Sequence, residues 1–160
     1  MKKIIVAAVT ALFLTSTAHA SNIVQTAAST GKFNTLLAAA KAAGLAGALG
    51  HTDGITVFAP TDAAFEKLPK GTVENLLKPE NRDQLAAILK YHVVPARVPS
   101  SAAKLAPAKI ETLKESGDTT VRVRRGFGGV YVDRARVISA DIEASNGIIH
   151  VINRVLLPSS

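Results

Sequence analysis

The chain has 160 residues, with 19 Lys and Arg against 12 Asp and Glu, 48% hydrophobic and 4% aromatic residues, and no cysteine. That length allows one modest domain, and the lack of Cys excludes a disulfide framework, a thiolate metal site and a cysteine nucleophile. A formal charge of +7 speaks first to solubility and non-specific association.

Lys2 and Lys3 precede an apolar stretch from Ile4 to Leu14 interrupted by Thr10, and Ala18-His19-Ala20 has the small-x-small form of a cleavage site. Residues 1–20 therefore read as a cleaved secretory signal peptide, whose apolar core is well short of the about 20 residues that a spanning helix needs. With no Cys after the cleavage site, lipid attachment there is excluded. Residues 21–160 are left as a single domain, expected to be secreted or periplasmic with no transmembrane segment, and with 17 basic residues against 12 acidic.

Ile23, Val24, Ala27 and Ala28 fall at helical spacing until Thr30-Gly31 breaks the pattern, so a short first helix is expected there. Phe33, Leu36, Leu37, Ala40 and Leu45 carry a second stripe, weakened by Gly44 and Gly47 before Gly50. Asp53-Gly54 marks a turn, and Ile55 to Ala59 is a strand-type apolar run stopped by Pro60. Thr61 and Asp62 are N-cap residues for a helix over Ala63 to Leu68. Another short helix is expected over Thr72 to Leu77. Asn81 with Gln84 resembles a capping box for the helix that carries Leu85, Ile88 and Leu89 into Tyr91-His92, where Val93, Val94 and Pro95 close it.

A polar stretch with Pro99, Ser100, Ser101 and Pro107 separates this helical half from the C-terminal half. After Ile110 the period becomes two. Val121 and Val123 alternate with Arg122 and Arg124, Gly126 to Gly129 turns the chain, and Val130 and Val132 alternate with Tyr131 and Asp133, which makes a hairpin. Ala135 to Ile142 and Gly147 to Ile152 read as strands joined by a turn at Asn146-Gly147, and Val155 to Leu157 is a last apolar segment. Strands coming after helices in this way predict an α+β domain with antiparallel pairing.

The histidines of the mature chain, His51, His92 and His150, stand at no metal-ligand spacing, and no nucleophile elbow or triad pattern accompanies them. No metal, cofactor or catalytic residue is therefore expected. Gly126 to Gly129 lies between strands, and a phosphate cradle would need a helix after it. Arg122, Arg124, Arg134 and Arg136 would share one face if their strands pair, giving either a solvated sheet surface or a basic strip for phosphate, sulfate or uronate groups. Tyr131 is the single aromatic candidate near it, too few for nucleic-acid stacking, and export removes nucleic acid from reach, leaving anionic polysaccharide as a partner class. Tyr91-His92 at a helix end reads as a buried hydrogen-bonded link between helix and sheet.

Three segments together resemble the fasciclin domain family: Ile55-Thr-Val-Phe-Ala-Pro-Thr-Asp-Ala-Ala-Phe65 its first signature, Tyr91-His92 its tyrosine-histidine motif, and Asn146-Gly-Ile-Ile-His-Val-Ile-Asn153 with Leu156-Leu157-Pro158 its second. Order and spacing agree over nearly the whole mature chain, as in the single-domain secreted bacterial members. The resemblance implies a wedge of two antiparallel β-sheets with helices packed alongside, Val57 and Phe58 in a central strand, and Gly147 permitting the turn into the last strand. It implies a non-enzymatic module for adhesion or protein interaction, binding a cell-surface or matrix protein. Tyr91, His92, Asn146, His150 and Asn153 mark the contact region, although the family often has Asp where Asn153 stands. An alternative implied by some family members is a carrier of carotenoid-type apolar molecules; Leu36, Leu37 and Val94 are then either liners of an apolar groove or core residues.

Overall fold

The computed structural model describes residues 21–103, 108–115 and 117–157; residues 1–20, where a signal peptide is expected, Pro107 and Pro158 lie outside them. Helix α1 (Ile23–Thr30) opens on Asn22, whose side chain accepts from the Gln25 amide while the Gln25 side chain accepts from the Asn22 amide. This reciprocal box satisfies two amides that the helix leaves without partners. Gly31 at φ 70° closes α1, and α2 (Asn34–Ala42) follows. The second stripe does not make one long helix: Gly44 turns the chain at φ 74° and α3 (Ala46–His51) is a separate element.

Strand β1 (Ile55–Pro60) leads into α4 (Asp62–Glu66), where the Thr61 hydroxyl accepts from the Ala64 amide as expected of an N-cap. Asp62 acts elsewhere. Its carboxylate accepts from the Thr35 amide at 2.7 Å, so it caps the start of α2 from a distant part of the chain. Burial raises the Asp62 pKa, but the bonds from Thr35 and Asn34 outweigh this and hold it below its ordinary value.

Next come α5 (Thr72–Leu76) and α6 (Arg82–Tyr91). The capping box expected at Asn81 and Gln84 is absent, because a 3₁₀ turn over Pro79–Asn81 runs straight into α6 and denies Asn81 the extended backbone of a cap. Its side-chain amide donates instead to the Asn75 carbonyl at 2.6 Å.

Pro95 ends the helix as expected, but the two valines before it leave as β2 (Val93–Val94), with Thr56 facing Val94 in an antiparallel pair with β1. The remaining strands are β3 (Ala108–Glu111), β4 (Thr120–Gly126), β5 (Gly129–Val132), β6 (Ala135–Ala144) and β7 (Gly147–Ile152).

The strands form one sheet in the order β2-β1-β7-β6-β5-β4-β3, and with the helices this is an α+β architecture. Every neighbouring pair is antiparallel except β1 with β7, which run parallel from Ile55 beside Gly147 to Pro60 beside Ile152. The expectation of purely antiparallel sheets fails at that pair. Strands joined by a tight turn must run antiparallel, whereas β1 and β7 are separated by residues 61–146 and are free to run together. Two groups of strands share β6: β2-β1-β7-β6 and β6-β5-β4-β3.

The core is correspondingly double. One cluster packs Ile23, Phe33, Leu36, Leu85 and Leu89 of the helical half against Ile55, Val57, Ile149 and Val151. The other joins Phe58, Val94 and Ile152 to Val121, Val123, Val132 and Tyr91. Strands β1 and β7 are therefore buried on both faces, which is why each reads as an unbroken apolar run. Strand β4 is covered on one face only, with Val121 and Val123 inside and Arg122 and Arg124 in solvent.

Candidate binding cleft

His92 caps the C-terminal end of α6 and is 2% exposed. Its Nδ1 donates to the Ile88 carbonyl at 2.8 Å, and its Nε2 accepts from the Leu156 amide at 2.8 Å. Two backbone groups thereby fix one neutral tautomer. Burial pushes its pKa down to about 4, against a smaller upward pull from the Ile88 bond. Tyr91 is equally buried, but its hydroxyl reaches a polar surface, 2.8 Å from the Thr120 carbonyl, 3.1 Å from Asp133 Oδ2 and 3.4 Å from Asp118 Oδ2. Desolvation, with two carboxylates beside it, pushes the phenol pKa far up. The pair is thus split in role: the imidazole ties α6 to the segment after β7, and the phenol looks outward.

The second-signature residues also lie mostly inside. Asn146 Oδ1 accepts from the Ile23 amide at 2.9 Å, and its Nδ2 donates to the Leu49 and Thr52 carbonyls at 2.7 and 2.8 Å, so one buried side chain pins α1 and the end of α3 to the β6–β7 turn. That turn is made by Ser145 and Asn146; Gly147 is already in the strand without a positive φ. Glycine is required there for another reason, because a Cβ would overlap the Ile55 carbonyl and lie 2.9 Å from Ile23 Cδ1.

His150 accepts at Nδ1 from the Asp141 amide at 3.1 Å and donates from Nε2 to the Val98 carbonyl at 2.7 Å. It thus supports the register shift in β6, where Asp141 takes φ 57°. Asn153 is half-buried, its Oδ1 accepting from the Arg136 amide at 2.9 Å. Of the residues expected in the contact region, Tyr91, His92, Asn146 and His150 are buried with their polar atoms engaged within the fold, and of these four Tyr91 lines the surface cleft.

That cleft has a volume of about 940 Å³. Its cations come from five places in the chain: Lys67 after α4, Lys109 on β3, Arg122 and Arg124 on β4, Arg134 in the β5–β6 turn, and Arg154 after β7. Tyr91, Asp118 and Asp133 supply its polar floor. Asp133 holds φ 51°, uncommon for a residue with a side chain, and its Oδ1 accepts from the Arg122 amide at 2.8 Å.

The expected arginine strip is therefore half redrawn. Arg122, Arg124 and Arg134 meet in the cleft. Arg136 sits in the row Arg124–Tyr131–Arg136 across three strands, and its guanidinium donates to the Gly128 carbonyl at the hairpin tip. The Arg124 guanidinium lies over the Tyr131 ring at 4.7 Å. Lys67, Lys109 and Arg154 escaped the sequence reading because they are far apart along the chain and belong to no alternating run.

Of the candidate liners, Leu36 and Val94 are core residues and Leu37 is partly buried against the core. A second cavity, beneath Phe58 and Val123, has a volume of about 10 Å³, room for a water molecule at most. Among the described residues no group of His, Asp and Glu could hold a metal ion, and no helix is long and apolar enough to cross a membrane.

The family model for the fasciclin domain matches residues 31–158. Protein sll1483 of Synechocystis sp. is 49% identical over 144 residues, covering 89% of this chain and 77% of that protein. Uncharacterized protein sll1735 of the same organism is 44% identical over 136 residues, covering 85% of this chain and 97% of that protein. Among solved structures, a domain pair of the insect cell adhesion molecule Fasciclin I aligns with a TM-score of 0.45 at 24% identity, over 66% of this chain and 37% of that one.

Proposed function

Because this chain belongs to the fasciclin domain family, known in adhesion proteins, we propose that it is an exported, non-enzymatic adhesion or interaction module, secreted or periplasmic once residues 1–20 are removed. The observation that carries this reading is the open cleft of about 940 Å³ walled by cations, a surface shaped to hold a partner. His92 and His150 support it, since both ring nitrogens of each are bonded to backbone and neither imidazole is left to move protons at a surface. The partner is a cell-surface or matrix macromolecule, held through the face that Arg122, Arg124 and Arg134 share.

The test is capture of envelope and surface material from the native host on the immobilised protein, with proteins, glycans and lipids identified by mass spectrometry. Each hit is then reconstituted with purified components. A component bound at micromolar concentration and lost with Arg122→Glu/Arg124→Glu is the expected result. No retained component, or a pigment or lipid co-purifying with the protein in its place, overturns the reading.

A further inference from the structure

Beside an apolar side with Leu68, Val155 and Leu157, the cleft has two polar parts that together select a ligand. Its six cations face two carboxylates, Asp118 and Asp133, whereas the rest of the chain after residue 20 has 11 basic residues against 10 acidic. The charge excess of the mature protein is thus gathered in one concave place. Outside the cleft two cations are held in ion pairs, Lys90 with Glu115 at 3.1 Å and Arg97 with Glu143 at 3.0 Å. Among the described residues, no ion pair holds the side chains of Lys109, Arg122, Arg134 or Arg154. Guanidinium groups in that condition suit carboxylate or sulfate oxygens, which they bind in bidentate fashion.

The floor asks for something else. The Tyr91 hydroxyl has one proton, yet the Thr120 carbonyl and Asp133 Oδ2 both stand within hydrogen-bond distance of it. One proton cannot serve both, so the floor holds more acceptors than donors. A ligand that fits must bring anionic groups for the walls and hydroxyl donors for the floor.

We propose that the cleft binds an acidic polysaccharide, a glycan chain that presents uronate or sulfate groups to Arg122, Arg134, Arg154 and Lys109 and hydroxyls to Asp133. An acidic peptide meets the walls, but its donors to the carboxylate-bearing floor are single backbone amides fixed along the chain, whereas each sugar unit of a glycan brings several hydroxyls. A nucleic acid meets the walls but finds no set of aromatic faces on which to stack. The proposal rests on the reading of the protein as an exported binding module and specifies the occupant of its surface.

Titration calorimetry with the purified protein tests this, using polygalacturonate, dextran sulfate, neutral dextran, polyglutamate and a single-stranded oligonucleotide. At least one of the two acidic polysaccharides should bind about tenfold or more tighter than dextran, polyglutamate and the oligonucleotide, and added salt should weaken it as counterion release requires. Polygalacturonate and dextran sulfate separate uronate from sulfate as the recognised anion. Arg122→Ala/Arg134→Ala should weaken binding by about tenfold or more, as loss of two charge-assisted contacts implies, while Lys78→Ala on an unrelated exposed surface should leave it unchanged.

Lys109→Ala/Arg154→Ala gives an independent second disruption should the first variant not fold. Absence of binding to both acidic polysaccharides, equal binding of polyglutamate or the oligonucleotide, or full affinity in folded cleft variants would each overturn the assignment. If the protein still captures a surface partner in any of these cases, the module reading stands and only the occupant of the cleft is wrong.

Discussion

Lowering the pH below neutrality should unfasten the domain at His92 before the bonds of Asp62 or Asp141 are affected. In the folded protein the ring is buried, Nδ1–H is committed to the Ile88 carbonyl, and Nε2 accepts from the Leu156 amide, so a second proton would put two donors face to face. The folded pKa of about 4 against an ordinary 6.5 means that between these values the unfolded chain binds a proton that the folded chain refuses. Stability therefore rises with pH across that window: the contribution is fully present above pH 6.5, is lost progressively as the pH falls, and the loss ends near pH 4. A difference of 6.5 less about 4, at ~1.4 kcal/mol per unit, amounts to roughly 3 kcal/mol, a large share of the ~5–15 kcal/mol that holds a typical domain together.

Asp62 and Asp141, whose carboxyl groups are held below their ordinary value, act in a different window. The Ser100 hydroxyl and amide lower Asp141, and bonds from Thr35 and Asn34 lower Asp62. Their contributions are present above about pH 3.8 and fade only as the pH falls through and below it. Urea unfolding followed by circular dichroism at several pH values from about 7.5 to 4.5, on wild type and His92→Gln, isolates the histidine. The variant should be less stable at the neutral end of that range, and its deficit should shrink steadily toward the acid end. Equal slopes for the two proteins, or a His92 ring signal that titrates near the ordinary 6.5 by NMR, would refute the argument.

Three further substitutions probe the joints of the fold. Gly147→Ala drives a methyl into the Ile55 carbonyl and against Ile23, and should cost about 3 kcal/mol or more by urea unfolding; a loss below ~1 kcal/mol would show that β1 and β7 can part easily. Asn146→Asp keeps the shape but turns an oxygen toward the Leu49 and Thr52 carbonyls, with an expected loss of about 2–4 kcal/mol, and unchanged thermal stability would contradict the bonding described. Asp62→Ala should lower stability by about 1–2 kcal/mol and increase hydrogen exchange at the Thr35 amide, because the cap it removes belongs to α2; exchange altered only in α4 would count against it.

What the sequence made legible was whatever depends on neighbours in the chain. The hairpin over β4 and β5 follows from alternation, the cap at Thr61 from side-chain type, and the helix end at Tyr91 from Pro95. The features it hid depend on contacts between distant segments. Strand β3 has a single half-buried apolar residue, Ile110, and exists because β4 offers it a partner from Ala108 through Glu111. Asp62 sits where a local cap would sit, yet serves the helix before it. Arg122, Arg124 and Arg134 were visible as a basic run, whereas Lys67 and Arg154 join them only because α4 and the segment after β7 close the same cleft.

The same distinction separates the residues that mark the family from those proposed to face a partner. Asn146, Gly147, His150 and His92 each satisfy or make room for backbone groups of distant elements, and a group spent in that way has nothing left to offer a ligand. The cations of the cleft are in the opposite condition. Gathering like charges in a concave surface opposes compactness, and within a Debye length of about 8 Å at physiological salt that repulsion is only partly screened. Packing does not require it, since the valines of β4 would bury as well beneath neutral outward neighbours. On the proposed function, a charge arrangement that the fold does not need and that works against it is accounted for by an anionic partner. Tyr91 is where the two sets meet, its ring in the core with Val121 and Val132 and its hydroxyl at the floor of the cleft.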